Sequence, residues 1–66
     1  MTRHTPFPRL LRILREQAGL SVAALAKAAG LRRESIHRYE AGDREPSLVD
    51  AKRLARALKV SLAVFE

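Results

Sequence analysis

Apolar residues return every three or four positions through most of this chain. Phe7, Leu10, Leu11, Leu14 and Ala18 form the first such stripe, which predicts an amphipathic helix. Pro6 or Pro8 can stand in its first turn, where a missing N–H costs nothing, and Gly19 ends it. Ser21 is a natural N-cap for a second helix over Val22 to Ala29, with Leu25, Ala26 and Ala29 on its inner face. A third helix runs from Arg33 to Ala41, with Ile36 and Tyr39 pointing inward and Gly42 stopping it. After a polar loop over Asp43 to Pro46, Ser47 and Asp50 have the spacing of a capping box with the shorter acid. The helix that follows buries Ala51, Leu54, Ala55 and Leu58, and Ser61 caps a last short helical turn. The pattern predicts an all-α domain of five compact helices over residues 7–66, preceded by an N-terminal arm over residues 1–6. Leu25, Leu31, Ile36 and Leu54 are expected to meet in one core.

The stretch from Val22 to Ala41 says more. Ala26, Gly30, Leu31, Ile36 and Tyr39 have the spacing that folds two short helices into a helix-turn-helix. Small Ala26 lets the next helix cross closely, Gly30 can take a positive φ, and Leu31 plugs the turn into the core. Arg33, Glu34, His37 and Arg38 then remain on one outward surface of the third helix. A short helix with a charged, hydrogen-bonding tip fits the major groove of DNA.

With 66 residues the chain makes one small domain with a limited core. It has no cysteine, hence neither a disulfide nor a thiolate metal site. Ten arginines and three lysines stand against seven acids, a net charge of +6. Such an excess on so small a body favours polyanions, nucleic acid first and anionic membrane second. No apolar run approaches the ~18 residues needed to span a bilayer, and the N-terminus lacks the apolar stretch of a secretory signal.

From Leu10 to Phe65 the chain resembles the Cro/repressor (xenobiotic-response-element, lambda-repressor-like) helix-turn-helix family. The residues that carry the resemblance are Gly19-Leu20-Ser21, Leu25-Ala26, Gly30-Leu31 and Glu40-x-Gly42. Arg44-x-Pro46-Ser47-Leu48 and the pairs Leu54-Ala55 and Ala57-Leu58 complete the pattern. The resemblance implies a sequence-specific double-stranded DNA-binding regulator of the repressor type. It also implies a homodimer, a cytoplasmic, nucleoid-associated location and no cofactor. Two positions depart from the family. Val22 stands where a phosphate-contacting glutamine is usual, and Arg32 stands where Ser or Thr usually caps the recognition helix.

Candidate contacts follow residue by residue. Arg33 and Arg38 are suited to reading guanine bidentately, at about 1–3 kcal/mol of discrimination for each good pair. Glu34 either accepts from cytosine N4 or holds Arg38, four residues on, in an intrahelical pair worth roughly 0.2–0.5 kcal/mol. His37 can donate to a base or a phosphate; His4 is too remote to join it in a metal site. Ser35 and Arg32 are candidates for the phosphate backbone. Arg44 resembles the family's backbone-clamping basic residue, and such contacts position the protein without specifying sequence. The resemblance further implies a partly buried Arg15–Glu40 pair tying the first helix to the end of the third, while Glu16 has Arg12 four residues back.

Leu62, Val64 and Phe65 form an apolar C-terminal cluster expected to build the dimer, which would read an inverted-repeat operator with centres ~34 Å apart. An enzyme is not expected, since the chain has no cysteine, no histidine–carboxylate cluster and no glycine-rich phosphate loop. The alternative within the same fold is an antitoxin subunit that binds a toxin protein and represses its own operon. A basic membrane-surface protein is the remaining rival, countered by apolar positions that continue through every later helix.

Overall fold

The computed structural model describes residues 6–65. Of the expected arm only Pro6 is described; residues 1–5, His4 among them, and Glu66 lie outside the described residues. Four α-helices follow in order: α1 (Phe7–Gln17), α2 (Val22–Ala29), α3 (Arg33–Ala41) and α4 (Leu48–Leu58). A single 3-10 turn, Leu62–Phe65, closes the chain, and no strand occurs among the described residues.

The helix starts are set by local chemistry. Pro6 precedes α1 and Pro8 lies in its first turn, where neither removes a helical hydrogen bond. Ser21 Oγ accepts the Ala24 N–H at 3.0 Å, and Ser47 Oγ accepts the Asp50 N–H at 3.1 Å. Arg32 starts α3 with no side-chain cap. At the other ends, Gly30 and Gly42 take φ of 70° and 80°, and Lys59 does the same for α4 at 57°. At Gly30 a Cβ would also crowd Arg53 Nη1 at 3.1 Å, although that exposed side chain can shift, so the positive φ is what favours glycine.

The fifth element differs from expectation. Instead of an α-helix, residues 62–65 make one 3-10 turn in which the Val64 N–H donates to the Ser61 carbonyl at 3.0 Å. Four residues are too few to propagate an i→i−4 ladder, whereas one i→i−3 bond closes at once.

α2 packs against both α3 and α4, α1 packs against α3, and the C-terminal turn packs against α4. Leu11, Leu25, Ile36, Tyr39 and Leu54 are completely buried between them, and half-buried Leu31 packs against this cluster. Several positions expected on inner faces are not fully buried, among them Phe7, Leu10 and Leu14, which are half-buried. Ala18 is exposed because α1 has already ended and it serves as the C-cap, and Ala51 is only half-buried. Phe7 links the two ends of the molecule, edge-on to Tyr39 at 6.4 Å and to Phe65 at 5.1 Å between ring centroids.

Candidate nucleic-acid interface

Ile36 and Tyr39 fix α3 by its buried side, which leaves Arg33, Glu34, His37 and Arg38 exposed on the other. Arg32, Glu34, Ser35 and Arg38 line one shallow depression with Arg44 from the next loop and with Gly30 and Leu31 of the turn. Arg33 and His37 stand outside it, four residues apart on the neighbouring stripe of the helix. Half-buried Ser35 has no side-chain hydrogen bond among the described residues, and uncapped Arg32 leaves the first-turn amides of α3 without a side-chain acceptor.

The expected Glu34–Arg38 pair is absent. Among the described residues neither side chain makes an ion pair, so Arg38 is not restrained by Glu34. In full solvent the small Coulomb gain does not repay the freezing of two long side chains.

Arg44 is held differently. Its guanidinium carbon lies 6.0 Å from the centroid of the Tyr39 ring, within cation–π range. Tyr39 in turn donates its hydroxyl to Asp50 Oδ2 across the α3–α4 junction. Burial first, and then this hydrogen bond, raise the Tyr39 pKa above its ordinary 10.0, with Arg44 pulling the other way. Sequence reasoning missed this bond. It assigned the Asp50 carboxylate to a reciprocal cap, of which only the Ser47 half forms. The apolar setting of Tyr39 was the available signal, since a buried phenol needs an acceptor.

Arg15 reaches from α1 to Glu40 on α3, with Nε 2.7 Å from Oε2 and Nη2 3.1 Å from Oε1. Its Nη1 donates to the Leu20 carbonyl at 2.9 Å, so one guanidinium joins α1, α3 and the α1–α2 turn. The side chains are 13% and 12% exposed, and the hydrogen bond to Glu40 raises the Arg15 pKa despite burial. Arg12 and Glu16 meet at 3.4 Å in the open.

At the C-terminus, Leu62 and Phe65 are half-buried and Val64 is 41% exposed. Leu48, which the sequence reading left out, is more exposed at 63%. It borders an open groove with Phe7, Pro46, Leu62 and Phe65. No helix is long and apolar enough to cross a membrane, and no metal-binding group of His, Asp or Glu occurs among the described residues.

A helix-turn-helix family model matches residues 11–65. Among solved structures, the restriction-modification controller protein C.AhdI from Aeromonas hydrophila superposes with a TM-score of 0.88 at 38% identity, covering 91% of each chain. The P22 c2 repressor, solved with synthetic operator 9T, superposes with a TM-score of 0.86 over 94% of each chain; at 24% identity this is a likeness of fold. In sequence, 44 residues (67% of the chain) are 48% identical to an HTH-type transcriptional regulatory protein of Pyrobaculum aerophilum. The chain spans 18% of that protein's length.

Proposed function

The chain belongs to the helix-turn-helix family HTH_3, and from that premise we propose that it is a sequence-specific double-stranded DNA-binding transcriptional regulator of the repressor type. The observation that carries this reading is the depression on α3, where Arg32, Arg38 and Arg44 converge and none is consumed by an internal ion pair. The nine residues of α3 make a rod about 13 Å long, at ~1.5 Å per residue, which enters a major groove ~12 Å wide. Arg38 and Glu34 face the bases from the depression, and Arg33 and His37 reach further along the groove. Arg32, Ser35 and Arg44 take the backbone, with Arg44 steadied on the Tyr39 ring.

The active species is a homodimer. Leu48 and Val64 stand exposed beside the groove that Phe7, Leu62 and Phe65 help line, so a two-fold axis lets each copy seat its leucine against the other's groove. One recognition helix makes too few base contacts to compete with a genome, and two in successive major grooves read an inverted repeat.

Selection of bound duplexes from a random DNA pool tests the reading. Recovery of an inverted repeat with half-sites about one helical turn apart is expected. Recovery of no sequence preference overturns it. Sedimentation equilibrium with the selected duplex checks the dimer: Val64→Ser should weaken assembly and leave the helical circular dichroism intact, and one monomer per site rejects it.

A further inference from the structure

A second basic surface lies on the far side of the helix-turn-helix turn. Val49, Lys52, Arg53 and Arg56 follow one another at helical spacing along the exposed side of α4, and Lys27 joins them from the last turn of α2. All four cations are exposed, and none makes an ion pair among the described residues. The nearest acid on the same helix, Asp50, has its carboxylate engaged by the Tyr39 hydroxyl. Like charges three and four residues apart weaken a helix. Arg56 and Lys27 stand in the last turns of their helices, where a cation suits the helix dipole, but no cation of the stripe has an acidic partner among the described residues.

Its position gives the stripe a use. Gly30 borders both this surface and the α3 depression, and Arg53 Nη1 lies 3.1 Å from where a Gly30 Cβ would stand. The Arg53 head thus overhangs the turn, and the two sets of cations form one band. On the depression's other side, Arg44 borders the apolar groove assigned to the dimer contact. Gly30 precedes the start of α3 and Arg44 follows its end, so the stripe meets the depression at one end of α3 and the groove meets it at the other.

We infer that Lys27, Lys52, Arg53 and Arg56 bind the phosphate backbone of DNA flanking each half-site, outside the sequence that α3 reads. This rests on the DNA-binding reading above and extends the contact outward from the operator. Phosphates are the occupant that four cations without an acid fit, and the continuity through Gly30 brings the backbone to them. The contact is blind to sequence. Its signature is dependence on duplex length and salt.

The experiment compares two duplexes, the minimal inverted repeat selected from the random pool and the same repeat with unrelated base pairs added at both ends. Affinities are measured by fluorescence anisotropy at several salt concentrations for the parent and for the double variant Lys52→Ser, Arg56→Ser. Both substituted residues are exposed, and matching circular dichroism melts verify the fold. The parent should bind the longer duplex more tightly and with a steeper salt dependence. The double variant should lose that increment and keep its affinity for the minimal duplex. Each neutralised phosphate contributes about 0.9 to the slope, so the two cations account for roughly two units per protomer. For the dimer that is roughly four units, about a hundredfold difference in the loss of affinity between 50 and 200 mM salt. Equal binding of both duplexes by the parent, or equal losses on both by the variant, overturns the inference while leaving DNA binding intact. No binding to either duplex instead fails the underlying functional reading. Binding of poly-L-glutamate that needs Lys52 and Arg56, with no effect of flank length, would make the stripe a docking face for acidic protein and also overturn it.

Discussion

α3 carries a glutamate on each of two sides, and the fold treats them in opposite ways. Toward α1, Glu40 takes two hydrogen bonds from Arg15, at 2.7 and 3.1 Å, in a setting where both side chains are nearly buried. Toward solvent, Glu34 stands four residues before Arg38 in the orientation that favours an intrahelical pair, and no pair forms. Water explains the difference. An unpaired charge beside α1 would bear an uncompensated desolvation cost, whereas Glu34 and Arg38 are hydrated and gain little by meeting. The exposed Arg12–Glu16 contact at 3.4 Å is the intermediate case, long and open to solvent. Opposite charges at favourable spacing are thus a poor guide to pairing, and burial is the better one. The charges left over on α3 are those available to a ligand.

The largest effect should come from breaking the buried pair. Arg15→Ala or Glu40→Ala alone should cost about 3 kcal/mol, the low end for removing one partner of a buried pair, because the survivor is stranded. Arg15→Ala also frees the Leu20 carbonyl. The double variant should be more stable than the worse single one. Urea denaturation of all four species gives the coupling, and additive effects would remove the contrast with Glu34.

The unpaired side should respond in binding instead. Arg38→Ala should relax discrimination at particular base pairs by about 1–3 kcal/mol. Arg44→Ala should weaken binding to all duplexes alike and lower the salt slope by roughly one unit. Melting temperatures should scarcely move for Arg38→Ala, an exposed side chain that holds nothing else in place. Indistinguishable behaviour of the two variants on selected and random DNA would erase the division between base and backbone contacts.

Much of this was legible locally. The cap serines, the turn glycines and the inward positions Leu25, Ile36, Tyr39 and Leu54 each depend on neighbours within a turn or two, so the sequence predicts them directly. The contacts that escaped it cross between elements. Tyr39 to Asp50 spans 11 residues and a loop, and the exposure of Leu48 depends on where α4 sits against the rest of the chain. The depression beside α3 has the same origin, since Arg44 joins Arg38 and Glu34 only after the loop has folded back. The Tyr39 bond offers a pH test. Its raised pKa means that the phenol adds stability that is fully present below pH 10.0 and is lost as pH rises through the higher folded-state value. Tyr39→Phe should cost on the order of 1 kcal/mol at neutral pH and flatten the alkaline decline of the melting temperature. Tyr39 is the chain's single tyrosine and there is no tryptophan, so phenolate absorbance reports its titration alone. A midpoint at or below 10.0 in the folded protein would contradict the bond.

A small stability effect is expected at Glu34, and it is the sharpest check on the comparison. Glu34→Gln keeps the side chain's shape and removes the charge. Near the start of α3 a carboxylate also favours the helix dipole, by about 0.3–1 kcal/mol at an exposed site, so a loss at the low end of that range is expected. If the absent ion pair with Arg38 made a hidden contribution, the loss would exceed this and would shrink when Arg38 is already alanine. Thermal melts of Glu34→Gln in both backgrounds should therefore give the same small decrement. Salt should reduce the two decrements equally, because dipole and pair are both screened but only the dipole is present. Specificity should move more than stability. A neutral amide both donates and accepts, whereas the carboxylate only accepts, so the variant should tolerate adenine where the parent selects cytosine. An unchanged base preference would leave Glu34 a hydrated residue of the helix start, with Arg33, His37 and Arg38 as the remaining base contacts on α3.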